Sequence, residues 1–165
     1  NNSEEGMWAR MSSPDAGNGR GVSFRPEIGD EVICGFIGED PQYAVILGML
    51  NSSAKPSPIK ASNDNHEKGY VSREKVKFIF SDKDKSVGFE TPKGKKITIN
   101  DDSGEIKLED EFGNKMVMNK DGISIESYKD LTLKAAASLN AKGNASATLE
   151  AGGNTTIKGA LVNIN

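Results

Sequence analysis

From Ile123 onward the chain advances in units of eight, ISIESYKD, LTLKAAAS, LNAKGNAS, ATLEAGGN and TTIKGALV, with Asn163-Ile164-Asn165 as a remnant. The first and third positions carry Ile123/Ile125, Leu131/Leu133, Leu139/Ala141, Ala147/Leu149 and Thr155/Ile157. Residues at i and i+2 share one face of a strand, so each unit predicts a short strand with two inward side chains. The small or polar residues that follow suit a turn. Two inward side chains per unit cannot close a core within one chain. The repeat therefore calls for neighbours that carry the same repeat.

Three copies winding together satisfy that demand. Each supplies one strand to each layer of a triangular β-prism, and the backbone bonds run between chains. The expected trimer core is Ile123, Ile125, Leu131, Leu133, Leu139, Ala141, Ala147, Leu149 and Ile157. Shrinkage toward Ala141 and Ala147 implies a narrowing needle. A helical stalk is a competing reading, because residues 135–142 have good helix propensity. An eight-residue period suits neither 3.6 nor 3.5 residues per turn, and Gly143, Gly152, Gly153 and Gly159 oppose a helix. A single-chain β-solenoid is the other competitor, although such coils are generally longer.

Upstream, apolar pairs at Val87/Phe89, Ile97/Ile99, Ile106/Leu108 and Met116/Met118 recur at uneven spacing and predict an irregular β-stalk entrance over 76–122. Residues 55–75, with Pro56, Pro58 and a polar run over 62–68, read as a linker. Residues 1–54 hold candidate strands at Met7–Met11, Val22–Arg25, Val32–Ile37 and Tyr43–Leu50, separated by Gly and Pro turns, with a Gly-rich loop over 12–21. Strands this short favour a small closed barrel, since closure removes edges. Trp8, Phe24, Phe36, Tyr43 and Leu47 are its expected core.

The chemistry offered is sparse. The formal charge of −3 comes from 24 acids and 21 bases mixed along the chain, which argues against a nucleic-acid partner. Cys34 is the only cysteine, so neither an intrachain disulfide nor a cysteine metal cage can form, and a buried small hydrophobe is expected there. His66 is the only histidine. Asp101-Asp102-Ser103-Gly104 and Asn119-Lys120-Asp121-Gly122 read as turns, because they lack the continued carboxylate spacing of a calcium loop. No run approaches the length of a membrane span. No secretory signal is visible, and the polar start reads as a cut from a longer polypeptide. No catalytic residue, cofactor site or metal site is expected.

The run Trp8-Ala9-Arg10-Met11, the Gly-rich loop, Phe24-Arg25-Pro26-Glu27-Ile28-Gly29-Asp30-Glu31-Val32, Gly35-Phe36, Gly38-Glu39-Asp40-Pro41 and Val45-Ile46-Leu47-Gly48 resembles the OB-fold, gp5-like domain of VgrG-type spike proteins. Those proteins serve type VI secretion systems, contractile phage tails and related injection particles. The tail, from Thr91-Pro92-Lys93-Gly94 to Gly159-Ala160-Leu161-Val162-Asn163-Ile164-Asn165, resembles their trimeric needle. The resemblance implies an all-β homotrimer that punctures membranes or envelopes without catalysis. It implies a conical PAAR-type tip protein on Ala160, Val162 and Ile164, a tail tube or baseplate hub at the N-terminal end, and only transient contact with the target membrane. It also implies assembly in a bacterial cytoplasm or a phage-like particle, with delivery outward or secretion. The family's hub domains have no counterpart in this sequence. A carbohydrate-binding or depolymerising tail fibre is the rival function, with Glu109-Asp110-Glu111 as its best acidic cluster. An adhesin stalk is a third.

Overall fold

The computed structural model describes residues 6–164. They are all-β apart from two single-turn 3-10 helices, Ile37–Glu39 and Pro41–Tyr43. The chain divides into a first unit ending at Glu126 and a second beginning at Ser127.

The first unit opens with a three-stranded sheet. Strand β1 (Arg10–Met11) runs parallel to β5 (Ala44–Leu50), and β4 (Glu31–Phe36) pairs with the other edge of β5 antiparallel. A register shift between Ile33 and Cys34 interrupts that second pairing. Two of the expected strands thus form within a residue or two of their predicted limits. The expected strand at Val22–Arg25 does not form, and Pro26 closes that segment without a ladder partner.

The Gly-rich loop is more ordered than its composition suggests. It contains a hairpin, β2 (Ala16–Gly17) against β3 (Arg20–Gly21), turning at Asn18-Gly19. Gly19 takes a φ of 69°, which glycine adopts at no steric cost. Gly21 has a φ of 135°, and a Cβ there would sit 2.4 Å from the Asp15 carbonyl oxygen. The Ser13 hydroxyl oxygen lies 2.9 Å from the Asp15 carbonyl oxygen and 2.7 Å from that of Val22, so its one proton can serve either, and Arg20 pairs with Asp15 across the hairpin. The Asn-Gly dipeptide is the signal that announces such a turn.

The expected closed barrel core is not present in the single chain. The sheet order β1-β5-β4 leaves open edges, and Ala44, at 3% exposure, is the buried hydrophobic residue among those described. Trp8 is 95% exposed, and Phe24, Phe36, Tyr43 and Leu47 are exposed as well. Cys34 is also exposed rather than buried. Phe36, Leu47 and Cys34 sit on a single layer of three strands with no second layer to cover it, whereas Trp8, Phe24 and Tyr43 lie outside its strands and Phe24 packs its ring on Tyr70 of the next sheet.

A seven-stranded antiparallel meander follows: β6 (Glu67–Val71), β7 (Lys77–Ser81), β8 (Ser86–Glu90), β9 (Lys96–Asn100), β10 (Glu105–Glu109), β11 (Lys115–Asn119) and β12 (Gly122–Glu126). Each strand pairs with the next in sequence. Strand β6 lies inside the segment read as a linker, where Tyr70 and Val71 follow a polar run that masks the strand pattern. Strand β12 is the strand half of the first octad, so the sheet extends past the expected boundary at residue 122.

In the second unit, no strand or helix forms among residues 127–164, and every residue from 128 to 164 is exposed. The octads predicted strands; an extended segment with no ladder partner in its own chain cannot display one.

Candidate assembly surface

Side chains alternate across a strand, so the register of the meander sorts its residues onto two faces. On one face, Tyr70, Phe78, Phe89, Ile97, Leu108, Met116 and Ile125 stand opposite one another strand after strand. A second row on the same face runs Lys68, Phe80, Val87, Ile99, Ile106, Met118 and Ile123. All but Lys68 and Tyr70 are purely apolar. Phe78 stacks on Phe89 with ring centroids 4.4 Å apart and planes 10° from parallel. A shallow cleft of about 340 Å³ opens beside Phe89, Ile97 and Leu108.

Phe24 packs its ring 4.7 Å from that of Tyr70 at one end of this face, and most of the rest is open among the described residues of the first unit. Phe89 is 49% exposed, and Phe80, Ile97, Ile99, Ile106, Leu108, Ile123 and Ile125 are also exposed. A contiguous apolar face of this kind marks a contact surface. The opposite face supplies the contrast, for its outer row reads Lys77, Glu90, Lys96, Glu109, Lys115 and Glu126, alternating in sign at every step. Lys77 and Glu90 approach to 3.2 Å, and Lys115 and Glu126 to 3.1 Å. A face built this way is at home in water, so the apolar face is the one that needs a partner.

The turns between strands are built from their own side chains. The Asp110 carboxylate accepts from the backbone N–H of Phe112 and Asn114, at 2.9 and 3.0 Å, and from the Asn114 amide at 2.7 Å. Those bonds, the Asn114 amide first, hold its carboxyl below the usual carboxylate range. Lys95 does the same to Glu111 by hydrogen bond, and Glu109 pairs with Lys107. The acidic cluster at 109–111 is thus engaged in local bonds rather than gathered about a substrate groove. At the other end of the sheet, Lys85 pairs with Asp102 at 2.9 Å, Asn100 accepts from the Ser103 N–H, and Asn119 accepts from the Asp121 N–H. Among the described residues, no group of three or more His, Cys, Asp or Glu could hold a metal ion, and no helix is long and apolar enough to cross a membrane.

The expected trimer-core residues fall into two sets. Ile123 and Ile125 sit on β12, in register with Met118 and Met116 on the apolar face. Leu131, Leu133, Leu139, Ala141, Ala147, Leu149 and Ile157 lie in the second unit, exposed and without any neighbouring strand. The expected tip residues Ala160, Val162 and Ile164 are exposed too, Ile164 at 88%. The seven-stranded face was missed from the sequence because its pairs were read as a stalk entrance. The signal lay in β7 and β8, where Phe78/Phe80 precede Val87/Phe89.

Residues 86–165 match the phage baseplate V C-terminal trimerisation domain, and residues 1–50 match the type VI secretion system/phage-baseplate injector OB domain. The two matches fall on domains of phage-baseplate and type VI injector proteins, and each covers less than half of the chain. No curated protein matches it. The trimerisation match begins at Ser86, the first residue of β8, so five of the seven meander strands and the whole second unit fall inside it. The family domains point to a structural role at a baseplate or spike, within a phage-like or secretion apparatus.

Proposed function

We propose that the chain is the envelope-puncturing spike of a contractile injection machine and works as a homotrimer whose second unit winds into a triangular β-prism. The observation that carries this reading is the second unit itself. It presents an apolar pair in nearly every octad, yet it makes no ladder within its own chain. Three copies provide one another's missing strands, and the apolar sheet face gains its cover in the same step. A single-chain solenoid would show ladders between its own coils, and none forms among residues 127–164.

The spike acts mechanically. Chains that share hydrogen bonds along their length resist bending, so thrust from behind reaches a small area of membrane or envelope. The OB-like domain acts as a collar that sets three chains in register, joined to a tube or hub on its N-terminal side. Ala160, Val162 and Ile164 from three copies form an apolar, edge-bearing end that suits a conical PAAR-type tip protein, with or without an effector. The tail-fibre alternative needs a sugar groove with paired carboxylates, and Glu109, Asp110 and Glu111 are each engaged by local partners.

Light scattering on the purified chain tests the reading. The expected mass is three times 17.6 kDa, with a β-type circular dichroism spectrum. A monomer of the same spectrum at micromolar concentration would sink the trimeric prism.

A further inference from the structure

After Asp130, the sequence to its end holds four charged residues, Lys134, Lys142, Glu150 and Lys158, spaced eight apart. Each is the fourth residue of its octad. The charges of the second unit are thus confined, beyond its first few residues, to one repeat position, whereas other polar positions carry Ser, Thr or Asn. The structure shows what that position does where its octad has ladder partners. In the first octad it is Glu126, which stands opposite Lys115 on the polar face and ends the alternating Lys–Glu row.

We infer that Lys134, Lys142, Glu150 and Lys158 form a charge row between copies of the chain, in which Glu150 of one copy is flanked by the Lys142 and Lys158 positions of its neighbours. The inference rests on the trimeric reading. When each copy gives one strand to each layer, the strand beside a given octad belongs to another copy and comes from the octad before or after it. An eight-residue register then brings fourth position against fourth position. The row runs Lys, Lys, Glu, Lys: one like pair followed by two opposite pairs. Directly opposed unlike charges stabilise neighbouring strands, and like charges destabilise them. Glu150 is therefore the member on which the row depends, because it takes part in both favourable pairs and is repeated three times in the assembly.

Charge reversal tests the row. Glu150→Lys turns all three pairs into like pairs, whereas the swap K142E/E150K restores two opposite pairs and one like pair. Asp130→Lys makes the same charge change at the eighth position, off the row, and serves as control. Trimer mass and thermal midpoint are compared in low salt and in about 1 M salt, where screening extends only about 3 Å. Glu150→Lys is expected to lower the low-salt midpoint by about 5 °C or more, summed over three copies of weak exposed pairs. The gap should close in high salt, the swap should return to the wild-type midpoint, and Asp130→Lys should leave it unchanged. If the wild-type chain is trimeric and Glu150→Lys behaves as Asp130→Lys does, or if the swap fails to restore the midpoint, the charge row is wrong while the trimer stands. A wild-type monomer overturns the trimeric reading itself.

Discussion

The meander and the second unit share one sequence pattern, apolar residues two apart, yet only the meander turns it into ladders within the chain. Strands β6 to β12 each find a partner in the next strand, because five-residue strands joined by tight turns can fold back on themselves. The octads lack that option. Their small-residue stretches at Ala135-Ala136-Ala137 and Gly152-Gly153 do not supply the anchored turn that Asp110 and Asn114 build in the sheet. The same two-residue spacing therefore gives an autonomous sheet where an anchored turn follows, and no ladder within the chain where none does.

The sharpest way to break this contrast is amide hydrogen exchange. In the trimer, amides of residues 127–164 should be protected by factors on the order of 10³ or more, and in a dissociated monomer they should exchange almost freely. Sheet amides should stay protected in both states. Protection of the second unit in a monomer would show that it completes its own ladders.

A smaller effect separates the two faces of an octad. Leu133→Asp places an uncompensated charge at an inward position and should cost at least about 3 kcal/mol per copy, enough to abolish the trimer. Thr132→Asp, one position away and outward, should cost under about 0.5 kcal/mol. Sedimentation of the two variants decides between them, and equal behaviour would remove the inward/outward assignment.

Phe89→Ala measures the cover on the sheet. With Phe89 only half buried in a single chain, the substitution should cost the monomer about 1.5 kcal/mol by area lost. In the trimer it should cost about 3 kcal/mol per copy, the range for an enclosed aromatic. Denaturant titration above and below the dissociation concentration reads the difference, and equal costs would mean that the face stays open.

The gentlest test is acid. Asp82, Asp110 and Glu111 are held below their ordinary values of 3.8, 3.8 and 4.5, by hydrogen bonds from Lys68, Asn114 and Lys95 respectively. A lowered folded-state value means that the contribution is complete above the ordinary carboxylate range and is lost as pH falls through the lowered values. The meander should therefore loosen at its turns below about pH 4. Asp110→Asn should flatten that pH dependence, as followed by the stability of the first unit alone. The second unit, with four charges after Asp130, should add little slope.

Periodicity made the all-β class, strands β4 and β5, the apolar pairs of β8 to β12 and the octad frame legible in the sequence. It failed where the signal lies in tertiary company. Strand β6 is recognisable only beside β7, since Glu67-Lys68-Gly69 carries no alternation of its own. The hairpin at Asn18-Gly19 was hidden by glycine density. Barrel closure was inferred from the liability of open edges, and in the single chain Trp8, Phe24, Phe36, Tyr43 and Leu47 are exposed. Of the candidate assembly surface, the octad leucines were visible as a repeat, whereas the two-faced character of the sheet depends on register, which a list of pairs does not fix.

The strictly sequential order of the meander also bears on the timing of assembly. Each of its ladders closes a loop of only a few residues, so its contact order is low and its folding needs no search across the chain. Joining copies is concentration-dependent and slower. If the proposed trimer forms, each newly made chain can hold a finished sheet with one adhesive face before any octad has met its partner, so the encounter of three such faces would come first, with the thread beyond them left to zip.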